Sequence, residues 1–220
     1  MGPGQGDHVT PGLGGHEEPG LAGCEDPGLA VHPDRLKWNA RYAGRPPSFD
    51  PHPLAVLALS MPLPPGPVLE LACGPSGSAL LAAGTGRAVT AVDASDLALQ
   101  LLAAEAARRG SGRQITLVHA DLQHWRPSHR FALVLCTGYW DPALFAAAAA
   151  AVTAGGLLAW EALTASARHG RPGLNPAWCL GPGEPDSLLP AGFTQLSEPA
   201  VAEAGNGARR RLLARRDLVR

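Results

Sequence analysis

Four acidic side chains sit in or just after short apolar runs: Glu70 in Val68–Ala72, Asp93 after Ala88–Val92, Asp121 after Ile115–His119, and Glu161 after Leu157–Trp160. The first run opens into the loop Cys73-Gly74-Pro75-Ser76-Gly77. A carboxylate ending the second strand of such a unit is placed to accept hydrogen bonds from the vicinal hydroxyls of a ribose. The alternative role for Asp93 is to cap the following helix. Ser95 or Asp96 can do that instead, which leaves Asp93, with Ala94 beside it, for a ligand. Asp121 can accept from an exocyclic amine while the Leu122 backbone reads a neighbouring ring nitrogen, or it can be a turn residue. Glu70 either faces a cationic ligand or hydrogen-bonds the glycine loop. A carboxylate beside a pyrophosphate would repel it. Gly74-Pro75-Ser76-Gly77 also lacks the three-glycine dinucleotide pattern. Both features favour a positively charged, phosphate-free nucleoside over NAD.

The elements that must position these groups alternate regularly. Strands are expected at 68–72, 88–92, 115–119, 131–136 and 157–160. Helices are expected at 78–83, 96–109 (with Leu97, Leu101 and Leu102 on one face) and 142–152, the last ended by Gly155 and Gly156. Before this core, Asp34 can cap a helix carrying Leu36, Trp38 and Tyr42, and 53–59 reads as a further helix. The strands are apolar almost throughout, as parallel strands covered on both faces must be. The expected fold is α/β: a Rossmann-like, doubly wound, mostly parallel sheet. Phe193–Pro199 and Arg209–Ala214, joined at Gly205-Asn206-Gly207, predict a C-terminal antiparallel hairpin. Ligands of such sheets bind beyond the strand C-termini. That draws in Ala72, Gly74 and the Thr137-Gly138-Tyr139-Trp140 segment after the fourth strand.

Composition narrows the partners. The 220 residues are 45% hydrophobic, with a net charge of −1. Lys and Arg nearly balance Asp and Glu, so no nucleic acid is expected as a partner. The Arg209–Arg211 and Arg215-Arg216 cluster reads as the solvated ends of a strand. Four cysteines without paired ligand spacing point to a reduced, cytoplasmic protein with no metal. No segment is apolar enough to span a membrane. No heptad pattern appears, so a monomer or weak homodimer is expected. Residues 1–31 are Gly/Pro-rich and nearly repeat every eight residues from Pro11. This composition predicts a disordered tail before one domain over 32–220; a second reading is that translation starts near Val31.

The block Val68–Glu161 resembles the class I S-adenosylmethionine-dependent methyltransferases. Glu70-Leu71-Ala72-Cys73-Gly74 is similar to their first cofactor motif, Asp93 to the ribose-binding acid, and Asp121-Leu122 to the adenine-edge motif. Trp38-Asn39-Ala40-Arg41-Tyr42 and the stretch from Glu161 through Asn175-Pro176-Ala177-Trp178 resemble the tellurite-resistance and thiopurine-type subgroup. The resemblance implies that Trp38, Tyr42, Glu70, Ala72, Gly74, Asp93, Ala94, Asp121, Leu122 and Thr137 contact S-adenosylmethionine. Three positions depart from the pattern. Ala72 stands where glycine is usual, Ser76 interrupts Gly-x-Gly, and Ala132 replaces a common aspartate.

The implied activity is in-line transfer of a methyl group to a small molecule such as a thiol or a chalcogen oxyanion. A neutral leaving group makes alignment and a dry site the main requirements. Candidates on the acceptor side are Tyr139, Arg168, His169 and Arg171. The arginines could orient an anion and His169 could serve as a base, or all three could be solvated loop residues. Two other readings stay open: an NAD-dependent oxidoreductase, and a non-catalytic module that binds S-adenosylmethionine.

Overall fold

A computed structural model of the chain describes residue 1 and residues 27–196, 201–203 and 208–218. In chain order the elements are α1 (Pro33–Ala43), α2 (Pro53–Ser60), β1 (Val68–Leu71), α3 (Gly77–Gly84), β2 (Val89–Asp93), α4 (Asp96–Arg108), β3 (Ile115–His119), β4 (Phe131–Thr137), α5 (Pro142–Ala151), β5 (Val152–Leu163), β6 (Phe193–Gln195), β7 (Val201–Glu203) and β8 (Ala208–Arg216). The sheet runs β3-β2-β1-β4-β5-β8-β6, with β7 also on β8. Strands β1 to β5 pair in parallel, and β8 is antiparallel to β5, β6 and β7. The expected α/β sheet with an antiparallel C-terminal edge is therefore present. The proposed turn, Gly205-Asn206-Gly207, lies outside the described residues.

Burial on both faces explains the unbroken apolar strands. Every residue from Phe131 to Cys136 is buried, as are Leu157 to Trp160. Chain order reverses between β1 and β4, which opens a crevice at their C-terminal ends.

Several local expectations are corrected. His32, not Asp34, occupies the N-cap of α1, because Pro33 takes the first helical position. Gly155 and Gly156 do not end α5. They lie inside β5, where the register to β4 shifts between Phe131 and Leu133, and Gly155 has φ +74°. A glycine pair here serves an irregular strand rather than a helix end. The buried face of α4 is Ala98, Leu99, Leu102 and Ala106, whereas Leu97 and Leu101 are only half-buried. The expected tail lies outside the described residues apart from Met1 and Pro27–Val31. Those five form a 3-10 turn with Leu29 buried, so they pack with the fold rather than extending a tail.

Helix α1 buries none of its residues, so polar contacts must hold it. Asn39 Nδ2 donates to Asp96 Oδ1 at 2.7 Å, and Asn39 Oδ1 accepts from Ser95 Oγ at 2.6 Å. Arg35 adds a hydrogen bond to Asp96 Oδ2 at 2.8 Å. Burial works against the Asp96 charge, but these donors outweigh it and hold the carboxyl down at about 2. Asn39 thus latches α1 to the start of α4. Asn39→Ala is expected to cost about 1–2 kcal/mol. Amide hydrogen exchange should speed up across 33–43 while the sheet keeps its protection. Unchanged protection in α1 would show that Asn39 does not hold it.

Candidate functional site

A cavity of about 660 Å³ lies at the switch point, floored by the strand ends and covered by α1. Its size is ordinary for a cofactor or small-molecule site. Nine of the ten residues expected at the cofactor line it. Ala72 and Gly74 come from the loop after β1, Asp93 and Ala94 from the end of β2, Asp121 and Leu122 from beyond β3, Thr137 from β4, and Trp38 and Tyr42 from α1.

The glycine loop is shaped by close approaches. Gly74 has φ +58°, and a Cβ there would lie 2.7 Å from the Tyr42 hydroxyl. Gly77 lies directly under the Phe49 carbonyl, where no side chain fits. Asp93 ties the loop to β2. Its Oδ2 accepts from the Gly74 amide at 2.8 Å, and its Oδ1 accepts from the Ser95 amide at 2.8 Å. Burial raises the Asp93 pKa, and these backbone bonds oppose the rise. Each carboxylate oxygen keeps a lone pair for a further donor. Ser95 Oγ caps α4 through the Ala98 amide at 3.0 Å, so capping does not consume Asp93. Asp121 has more partners: the Gln123 amide at 2.9 Å and His124 Nδ1 at 2.7 Å. It is a turn residue and still lines the cavity.

Glu70 is the exception. It does not line the cavity, is only 3% exposed, and accepts from Ser76 Oγ at 2.7 Å. Ser76 Oγ in turn accepts from the Ser78 and Ala79 amides at the start of α3. Burial pushes the Glu70 carboxyl up to about 8, opposed by the Ser76 hydrogen bond. Glu70 therefore braces the loop from beneath, and burial favours its uncharged form. The charge argument drawn from it against a pyrophosphate does not hold in this form.

Two of the four acceptor-side candidates, Tyr139 and Arg171, line the cavity. Burial raises the Tyr139 phenol well above its ordinary value, so it is no base near neutrality. Arg168 and His169 are exposed and outside the cavity, where His169 Nδ1 lies 3.0 Å from the Ser166 carbonyl. The sequence reading missed Arg209, which was taken for a solvated strand end, and Leu101, which was placed only on one face of a helix. Both line the cavity. Trp178 also lines it, with the Lys37 ammonium 4.2 Å above its ring. Ala132 is fully buried in β4 and forms no part of the cavity.

This geometry has known counterparts. Residues 68–156 match the family described as a methyltransferase domain. That match spans β1 to the first part of β5, the strands that floor the cavity. No curated protein matches it by sequence. Among solved structures, it resembles TehB from Haemophilus influenzae, with 16% identity, a TM-score of 0.65, and coverage of 84% of this chain and 67% of that one. It also resembles a protein solved for the conversion of a disulfide bond into a thioacetal group during echinomycin biosynthesis. There identity is 23%, the TM-score 0.60, and coverage 83% of this chain and 93% of that one. The glycopeptide N-methyltransferase MtfA, solved with S-adenosyl-L-methionine, shares 20% identity at a TM-score of 0.53 over 76% of this chain and 92% of that one. At these identities the likeness is one of fold. The Asp93 and Gly74 corner lies at the switch point of that shared sheet.

Ala72 has φ +50°, the only described non-glycine residue at positive φ. That conformation costs an alanine about 1 kcal/mol, and the residue lines the cavity while packing against the core. Ala72→Gly is expected to raise the Tm slightly or leave it level, with glycine's entropy in the unfolded chain offsetting part of the relief. A drop in stability of more than about 1 kcal/mol, read from denaturant unfolding, would show that the Ala72 methyl is needed for packing.

Proposed function

We propose that this protein transfers a methyl group from S-adenosylmethionine to a small-molecule acceptor. The observation that carries the reading is Asp93. It is a buried carboxylate at the end of β2, fixed by two backbone amides, with acceptor capacity left over on the cavity wall of a methyltransferase domain. In this reading Asp93 accepts from the ribose hydroxyls, with Ala94 packed beside it. Asp121 and the Leu122 backbone read the adenine edge, and Gly74 admits the cofactor's chain. Thr137 lies beneath, and Trp38 and Tyr42 cover the site from α1. The bound cofactor would supply an electrophilic methyl on a sulfonium, which departs as a neutral thioether.

What this chain supplies is alignment and exclusion of water. Tyr139, Trp140 and Trp178 supply aromatic surface to the cavity lining. Trp160 Nε1 donates to the Tyr139 carbonyl at 3.0 Å, which fixes the Tyr139 backbone. No histidine is among the cavity residues. A soft or already anionic nucleophile, a thiol or a chalcogen oxyanion, suits such a site because it needs no strong base. Fold neighbours that include a protein of disulfide-to-thioacetal chemistry support a sulfur acceptor.

Parallel calorimetric titrations test the assignment. S-adenosylmethionine and S-adenosylhomocysteine are expected to bind with micromolar affinity, and NAD is expected not to bind. Binding of NAD alone would replace this reading with a dehydrogenase. Cofactor binding without turnover of any thiol or chalcogen oxyanion offered would leave a binding module.

A further inference from the structure

Glu161, near the end of β5, has a side chain only 1% exposed, yet it meets two arginines and a histidine. Its carboxylate accepts from Arg209 NH1 at 3.3 Å and from Arg211 Nε, and His52 Nε2 lies 3.3 Å from Oε1. Burial opposes the Glu161 charge, but the His52 and Arg211 hydrogen bonds prevail and hold the carboxyl down at about 2. One buried negative charge thus faces two permanent positive ones, before His52 is counted. The excess is directed at the cavity. Arg209 lines it, and a Cβ on Gly138 would come within 3.8 Å of Arg209 NH1. Glu161 is the only partner of the Arg209 side chain among the described residues, and most of the donors of this guanidinium have no partner among them. Arg171, with no described carboxylate partner, lines the same cavity.

The cavity brings acids and bases together. Asp93 and Asp121 come from the ends of β2 and β3, and Arg209 and Arg171 from β8 and the segment after β5, with Asp34, Lys37, Arg41 and Arg45 also on the lining. The first pair suits the hydroxyls and amine of a nucleoside, and the second suits an anion. The geometry points to an acceptor that carries an anionic group, a carboxylate or an oxyanion, held by Arg209. As a statement about the acceptor this rests on the methyl-transfer reading. As a statement about an anion site it stands on the arginines alone.

The test measures binding of benzoate, benzamide and sulfate to the full chain by calorimetry, with and without saturating S-adenosylhomocysteine. Benzoate is expected to bind about tenfold or more tightly than benzamide. Arg209→Met should abolish that preference while S-adenosylhomocysteine affinity is retained, and Arg209→Lys should restore part of it. The retained cofactor affinity shows that the variant is folded. Sulfate competing as well as benzoate identifies an inorganic oxyanion as the anion, and benzoate binding alone identifies an organic carboxylate. Equal binding of benzoate and benzamide, an undiminished preference in Arg209→Met, or no binding of either anion at millimolar concentration overturns the proposal. Loss of S-adenosylhomocysteine binding in the wild type would instead overturn methyl transfer, and the anion preference is still measured without cofactor.

Discussion

Asp93→Ala is expected to reduce S-adenosylmethionine and S-adenosylhomocysteine affinity by more than about a hundredfold. Two losses combine. The cofactor loses a charged acceptor, worth about 1.5–3 kcal/mol per hydrogen bond. The Gly74 and Ser95 amides, now bonded to Asp93 at 2.8 Å each, also lose their partner in a buried corner. An unpaired buried amide costs about 1–3 kcal/mol, so the loop would shift to find water. Asp93→Asn is the sharper variant. Its single amide oxygen can serve only one of the two backbone donors, and its NH₂ group opposes the other. Calorimetry gives the affinity. Hydrogen exchange at 72–77 reports whether the loop has opened, and circular dichroism reports whether the sheet survives. A folded Asp93→Ala protein with wild-type affinity would remove Asp93 from the cofactor site.

Asp93 and Glu70 show what the sequence could and could not reveal. Both are acidic residues of short parallel strands, and both look available from spacing alone. Asp93 is the last residue of β2 and reaches the cavity. Glu70 lies one residue before the end of β1, where its side chain meets Ser76 at the start of α3. In the register Glu70 stands opposite Ala91, two residues short of Asp93, so the two carboxylates share a face of the sheet and differ in how near they lie to the strand ends. The parallel core was legible because both-face burial forces continuous apolar runs. The register of β5 was not. The bulge at Gly155 and Gly156 depends on pairing with Phe131 and Leu133, which local composition does not encode. Arg209 was misread for a related reason. Its carboxylate partner is 48 residues away and meets it only because β8 pairs antiparallel with β5. The exposed placing of Arg168 and His169 likewise follows from the irregular path after β5.

Glu70→Gln is expected to stabilise the protein increasingly as pH rises from about 5, reaching its full margin above about pH 8. In the folded chain burial raises the Glu70 carboxyl to about 8, whereas its ordinary value is 4.5. Between those values the folded state holds a proton that the unfolded state has released. Stability therefore falls as pH rises from about 4.5 and levels off above about 8. Glutamine has the same shape, can still accept from Ser76 Oγ, and never ionises. At pH 5 the variant should match the wild type. At pH 9 it should be more stable by about 2 kcal/mol, a margin set below the full linkage value because water or a loop shift relieves part of the buried charge. Urea unfolding across pH 5–9 checks this, and parallel curves for the two proteins would mean that Glu70 does not titrate in the folded state. The same group bears on the cofactor. An ionised Glu70 beneath the loop attracts a sulfonium and is indifferent to the neutral thioether. The ratio of S-adenosylmethionine to S-adenosylhomocysteine affinity should therefore climb through pH 8 in the wild type and stay flat in Glu70→Gln. The acid under the glycine loop would then act on the cofactor through its charge state rather than by contact.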